Sequence, residues 1–285
     1  MPRSYGEFPY GASPNNITQP FYGKYRGKVV VNKDPLNLGR IQVEVPSVYG
    51  SGTNNWAMPC TPYGGKDYGW FAIPTVGSNI WVEFEGGDPD YPIWVGCFWG
   101  EDQLPQAARV EEPDKVQVFR TPYGITLTLS NLGENKGLTL VVEDPTVERK
   151  LKMVFNADGI ELNNKDETTI KIKADIIELK NKANSTITIT ASNIEQKQTS
   201  VTTNLTANTI DLICNPATIK LATASGIELN NPPANAKLNS SGIELSATVP
   251  KITITPAQIQ LNNIASDIKL LPIGVNVNSG ALEVI

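Results

Sequence analysis

Residues 159–164 read GIELNN, residues 226–231 read GIELNN again, and residues 242–245 return GIEL. An enzyme site is assembled once in a chain, whereas a hexapeptide written repeatedly marks a structural unit stacked on copies of itself. Working outward from these boxes, the first Ile of each x-I-E-L box recurs as Ile160, Ile177, Ile194, Ile210, Ile227, Ile243 and Ile259. The successive spacings are 17, 17, 16, 17, 16 and 16 residues. A second series lies between them, led by Ile170, Ile187, Thr203, Ile219, Ala236, Ile252 and Ile268, in segments such as TIKIKA (169–174), TITITA (186–191) and KITITP (251–256). Each unit therefore holds two short strands with apolar residues on one side and Thr, Lys or Glu on the other, the period-two pattern of a half-buried strand. Gly, Asn and Pro fill the connections, as turns require.

The chain has two chemically distinct halves. Its five Trp and nine Tyr all lie before residue 125, and after residue 150 the only aromatic residue is Phe155. The first half carries YRGKVVVN (25–32), RIQVEVP (40–46), WAMPCTP (56–62), GWFAIP (69–74), NIWVEFEG (79–86) and PIWVGCFWG (92–100). These short β-branched or aromatic runs, bounded by Gly, Pro, Asn or Asp, predict five or six strands and an OB-like barrel. The segment GGDPDYP (86–92) reads as the turn joining the last two. The fold class is all-β, with a Pro/Gly/Asn-rich arm over 1–20, a barrel over 21–100, a polar linker over 101–120 and a β-solenoid over 121–285.

A unit of 16–17 residues is short for a single-chain left-handed β-helix, whose three hexads take roughly 18 per turn. Two octads per unit fit a thin triangular prism in which three chains wind together, an intertwined homotrimeric β-helix. In that arrangement Ile160, Ile177, Ile194, Ile210, Ile227, Ile243 and Ile259 form the shaft core, and neighbouring chains close the backbone hydrogen bonds, removing strand edges that invite aggregation. The alternative is a monomeric β-solenoid, carbohydrate-binding or hydrolytic, with the barrel as an accessory domain. Such a protein needs clustered carboxylates or aromatics on one outer face to hold sugar; here the outward residues are mostly Thr, Asn and Lys, with one Glu per box.

Composition excludes several chemistries. Histidine is absent, which removes His-based metal sites, Ser–His and Cys–His pairs and the usual neutral-pH general base. A net charge of −5 argues against a nucleic-acid partner, because phosphate neutralisation needs a basic face. The Trp set (Trp56, Trp70, Trp81, Trp94, Trp99) is accordingly assigned to barrel core and partner contacts rather than to base stacking. Glu83 and Glu85, two apart, are expected on one solvated strand face rather than in a catalytic pair. Asp88 and Asp90 could offer oxygens to Ca²⁺, but D-P-D in a Gly-rich stretch reads as turn chemistry. Cys60 and Cys97 are expected as small buried residues, with a disulfide between them left open; Cys214 falls in the repeat. No metal, cofactor or catalytic residue is assigned. Three cysteines without CxxC spacing suit a reduced compartment. The opening residues lack a signal-peptide core, so assembly in the cytoplasm is expected.

The first half also resembles a known family. GKYRGKVVVNKDPLNLGRIQVEVP (23–46), WAMPCTPYGG (56–65) and GWFAIPTVGSNIWVEFEGGDPDYPIWVGCFWG (69–100) are similar to the baseplate assembly protein V family of contractile phage tails, related to the phage T4 central spike and the VgrG spikes of type VI secretion. The resemblance implies a non-enzymatic homotrimeric needle at the axis of a contractile injection machine. Its OB-fold would be mounted on a separate baseplate hub protein, its β-helix would point at a target cell envelope, and a PAAR-repeat protein would cap its tip. The T4 spike's lysozyme domain has no counterpart in the short linker, and the iron-binding histidines of some spike tips are missing. The end NVNSGALEVI (276–285) is apolar, which places the expected cap contact at Leu282, Val284 and Ile285.

Overall fold

The computed structural model describes residues 20–284 apart from 53, 134–135, 166–167 and 279–280. The expected 1–20 arm, save residue 20, and Ile285 lie outside the described residues. The chain divides into two compact units, Met1–Leu104 and Pro105–Ile285.

The first unit is built on β1 (Tyr25–Val31), β2 (Ile41–Glu44), β3 (Asn54–Pro59), the small hairpin β4 (Gly64–Gly65) and β5 (Tyr68–Gly69), β6 (Asn79–Phe84) and β7 (Pro92–Cys97). Leaving the hairpin aside, the strands close in the order β1-β2-β3-β7-β6, with β6 returning to β1 and a parallel β3–β7 contact. That is the five-stranded Greek-key closure of an OB-fold. Alternation does the burying: Val29, Ile41, Val43, Val45, Ala57, Ile80, Val82 and Phe84 form the core, while residues between them face out. The run GWFAIP, read from sequence as a strand, is not one beyond Gly69. Only Ile73 of that run packs against the core, whereas Trp70 and Phe71 point into solvent, so it has no buried face to hold it in the sheet.

The second unit is one antiparallel sheet of twenty strands in sequence order, from Val116–Arg120 to Leu282–Val284. It begins inside the stretch expected to be linker. Each repeat supplies two strands, such as Gly159–Asn164 and Thr168–Ile172. Turns as short as the two residues between Asn156 and Gly159 fold each strand back beside its predecessor, which antiparallel pairing permits and parallel pairing does not. Consecutive strands therefore exchange backbone hydrogen bonds within the chain. The expectation that neighbouring chains close these ladders is corrected on this point.

The glycine that opens each GIEL box is fixed by this close return. Gly159, Gly226 and Gly242 have φ of 128°, 85° and 142°. A Cβ there would run into the carbonyl of Ile172, Leu238 and Ile254 respectively, each on the following strand.

Register sorts the side chains. Ile160 lies opposite Ile172, Ile172 opposite Ile177, Ile177 opposite Ile189 and Ile189 opposite Ile194, and this first apolar row continues through Ile210, Ile227, Ile243 and Ile259. A second row on the same face runs through Leu162, Ile170, Leu179 and Ile187. The opposite face carries a polar row in which charges alternate over long stretches, as in Lys220, Glu228, Lys237 and Glu244. Cross-strand opposite charges each add a few tenths of a kcal/mol.

Candidate functional site

Two surfaces stand out, one on each unit. The first is the apolar face of the sheet. In the barrel, Ile41 and Ile80 are 0% exposed, but in the sheet Ile177 is 38%, Ile210 42% and Leu229 47% exposed. Of the seven isoleucines expected to form a shaft core, Ile160 is half-buried and the other six are exposed in the single chain, all seven in the first row. A sheet with one apolar face needs a second layer, and the described residues of this unit do not provide it. The face is narrow, two side chains per strand, and it is long: at ~4.8 Å per strand, twenty strands measure about 90 Å along the sheet. Toward the C-terminus the second row lines a groove of about 1080 Å³, with Ile219, Leu229, Leu245, Ile252, Leu261 and Ile268 in its wall. Its charged lining residues are Lys251 and Asp267, and each is in an ion pair, Lys251 with Glu244 at 2.7 Å and Asp267 with Lys269 at 3.1 Å.

The second surface surrounds the loop between β1 and β2. Asp34 accepts backbone N–H bonds from Leu36, Leu38 and Arg40 at 3.0, 2.8 and 3.2 Å. The Arg40 guanidinium donates to both of its oxygens, Nη2 at 2.7 Å from Oδ1 and Nε at 3.2 Å from Oδ2. The two side chains are 5% and 10% exposed, and the arginine lies 5.1 Å above the Trp56 ring. Arg40, followed by desolvation opposing it and the three N–H donors, holds the Asp34 carboxyl far below its ordinary pKa. Across the loop Gly39 approaches Phe71, and beyond it Tyr63, Tyr68, Trp70 and Phe71 are 66, 59, 61 and 81% exposed. Tyr and Trp on a protruding hairpin are the residue types that anchor protein interfaces.

Residues 25–99, which make up this barrel, match the family model of the type VI secretion system/phage-baseplate injector OB domain. The barrel is thus similar to the OB domains of baseplate and VgrG spike proteins. Over 54 residues the chain is 43% identical to the type VI secretion system spike protein VgrG5 of Pseudomonas aeruginosa, a segment covering 19% of this chain and 7% of that one. It is 33% identical over 87 residues to the actin cross-linking toxin VgrG1 of Vibrio cholerae, covering 29% and 8%. With the spike protein VgrG3 of the same species it shares 39% over 64 residues, covering 21% and 6%. The chain thus spans at most 8% of the length of these relatives. The DPLNLGR segment that carries part of this spike-family likeness is the Asp34–Arg40 loop: its acid and its arginine are the two ends of one buried ion pair.

The remaining candidate residues of the barrel fall out individually. Glu83 is in β6 and pairs with Lys24, but Glu85 lies in the 3₁₀ turn Glu85–Gly87, so the two do not share a strand. Asp88 accepts the Asp90 N–H at 3.0 Å, an Asx turn, and Tyr49 donates to the Pro89 carbonyl at 2.5 Å to hold that turn against the barrel. Burial of the Tyr49 phenol pushes its pKa up. Cys60 and Cys97, expected buried, are exposed and free, as is Cys214; Cys60 and Cys97 both sit at the outer ends of strands, past the last core position. Trp94 packs on the core, Trp81 stacks on Phe98 at 4.8 Å, and Trp70 and Trp99 are exposed. Among the described residues no group of three His, Cys, Asp or Glu is placed to hold a metal ion, and no helix is long and apolar enough to cross a membrane. Of the expected tip residues, Leu282 is 59% exposed on the last strand.

Sequence reasoning missed the Asp34–Arg40–Trp56 stack and the aromatic hairpin. The first had a signal, an acid and a base flanking a Gly/Asn loop, but nothing in spacing alone says that they meet. The second had none beyond aromatic content, because an exposed and a buried tryptophan are written alike.

Proposed function

We propose that the chain is a non-enzymatic spike of a contractile injection machine, a phage tail or related secretion system, acting as a homotrimer. The observation that carries this reading is the apolar face, on which one chain leaves every Ile and Leu of the two rows from Ile170 to Leu270 more than a third exposed. Only a surface with the same ~4.8 Å repeat and the same length matches such a stripe residue for residue, and another copy of this chain has both. Three sheets turned with their apolar faces inward close a triangular prism, each chain forming one wall. The rows headed by Ile160 and Leu162 then fill its axis, and the alternating Glu and Lys rows face water. Such a shaft resists bending, because opening it exposes apolar surface in every layer at once. The injector OB domains sit on a separate hub protein, and the C-terminal residues Leu282, Val284 and Ile285 meet a PAAR-repeat cap. The needle assembles in the cytoplasm, becomes part of the baseplate and touches the target envelope on contraction. Light scattering on the purified chain tests this: a mass of three chains is expected, and a mass near the single-chain 30.9 kDa overturns it.

A further inference from the structure

The apolar face is interrupted at one place. From Leu127 to Val277 the two rows are apolar at every step except Gln196 and Thr203 in the second row, and these two are cross-strand partners. Ile187 precedes Gln196 and Leu212 follows Thr203 in that row, while the first row passes the same strands as Ile194 and Leu205 without a break. The GIEL pattern is itself altered here, reading NIEQ at 193–196 and VTTNLT at 201–206. Two further glutamines share this face: Gln198, outside the two rows and opposite Val201, and Gln117, on the first strand, which donates to the Asp114 carbonyl at 3.3 Å. Among the described residues neither the Gln196 nor the Thr203 side chain has a hydrogen-bond partner in its own chain. A polar pair in mid-stripe with no partner in cis is costly once covered, unless whatever covers it supplies the missing bonds.

We infer that Gln196 and Thr203 form a polar belt at the interface between copies, which fixes the axial register of the shaft. This rests on the trimer proposed above. A stripe with a two-strand repeat is nearly self-similar under a slip of one unit, two strands or about 10 Å, so apolar packing alone discriminates poorly between registers. The belt breaks that degeneracy. In register, three Gln196 amides and three Thr203 hydroxyls meet around the axis. Each amide N–H can donate to a neighbour's hydroxyl oxygen, and each hydroxyl can donate to a neighbour's amide oxygen, so every group is satisfied. After a slip of one unit, each belt faces Leu212 and Ile219 or Leu179 and Ile187 of its neighbours, and its polar groups are buried unpaired. A single polar layer in an apolar interface sets register in coiled coils by the same logic.

The test uses full-length chains with Cys60→Ser, Cys97→Ser and Cys214→Ser as background. Chains carrying Ile243→Cys are co-assembled with chains carrying Ile227→Cys; a disulfide between the two different positions reports a one-unit slip, and like-with-like disulfides report register. With the belt intact, like-with-like crosslinks are expected to dominate at least tenfold. With Gln196→Leu and Thr203→Ile in both chains, slipped crosslinks are expected to rise at least fivefold while the melting temperature does not fall, since both polar partners are replaced together. Adding Leu212→Gln and Ile219→Thr, which moves the belt one unit along, is expected to restore like-with-like crosslinking. Slipped crosslinks that stay at the background level in the double variant, or a melting temperature that drops as for a core deletion, overturn the belt while leaving the trimer standing. A single-chain mass for the parent protein overturns both.

Discussion

The barrel and the sheet use the same alternating strands and differ in what the alternation is for. In the barrel a closed circuit of strands turns its apolar side chains toward each other, and Ile41, Val43, Ile80 and Val82 reach 0% exposure with nothing else present. In the sheet the strands follow one another in a line, so the apolar residues share a face but never meet an opposing layer, and Ile210 and Ile227 stay 42% and 39% exposed. Closure supplies a core in cis; repetition supplies a surface that needs a partner in trans. The barrel's stability should therefore be independent of protein concentration, and the sheet's should not.

The sharpest way to break this contrast is to charge the repeat face. Ile210→Asp with Ile227→Asp places six carboxylates on the axis of a trimer, where burial without partners is prohibitive. Complete loss of the trimer at micromolar concentration is expected by light scattering, with the barrel transition unmoved. On a free monomer the same substitutions sit in water and change little, so an unaltered mass would remove the distinction between the two regions. All five Trp lie in the barrel, so tryptophan fluorescence reports that unit alone.

Within the barrel, the largest effect is expected from Asp34→Ala. It leaves the Arg40 guanidinium, 10% exposed, without its carboxylate and frees three N–H groups. A loss of about 3–5 kcal/mol is expected in urea unfolding of the full chain. The same group sets an acid limit. Because its pKa in the folded state lies below the ordinary carboxylate value, its contribution is fully present above about pH 4 and is lost as pH falls from there toward the folded value. Stability of the parent barrel should fall through that window, and that of the Asp34→Ala variant should fall less. Ile41→Ala tests the closed core directly: about 3 kcal/mol of destabilisation is expected, equal at low and high protein concentration.

Much of this was legible in the sequence, for a reason that also marks the limit. A solenoid repeats its physics, so Ile160, Ile177 and Ile194 state the period, the strand length and the apolar side without any knowledge of contacts. Strand pairing was not stated. The period is the same whether each strand pairs with its own successor or with a neighbouring chain, and only the two-residue turns, such as that between Asn156 and Gly159, decide for pairing in cis. In the barrel the reverse holds. Alternation in RIQVEVP and NIWVEFEG predicts the core, but the long-range contacts, Arg40 over Trp56 or Tyr49 on Pro89, join residues with no periodic relation. The exposed cysteines illustrate the same point: Cys60 and Cys97 lie within runs that read as strands, and a run does not show where its burial stops.

The smallest effect sharpens the comparison from the polar side. Glu244 lies opposite Lys237 across one ladder, is bonded to Lys251 at 2.7 Å, and continues the alternating row. The two side chains of that ion pair are 36% and 44% exposed, so solvent screens them and the pair is worth little. Glu244→Gln should change the melting temperature of the assembled protein by no more than ~0.5 kcal/mol corresponds to, and raising salt should change the parent as little. If instead this substitution cost as much as Ile41→Ala, the charged rows rather than the apolar stripe would be holding the sheet. The assignment of the two faces would then have to be exchanged, with Glu and Lys turned toward the axis and the isoleucines toward a different covering.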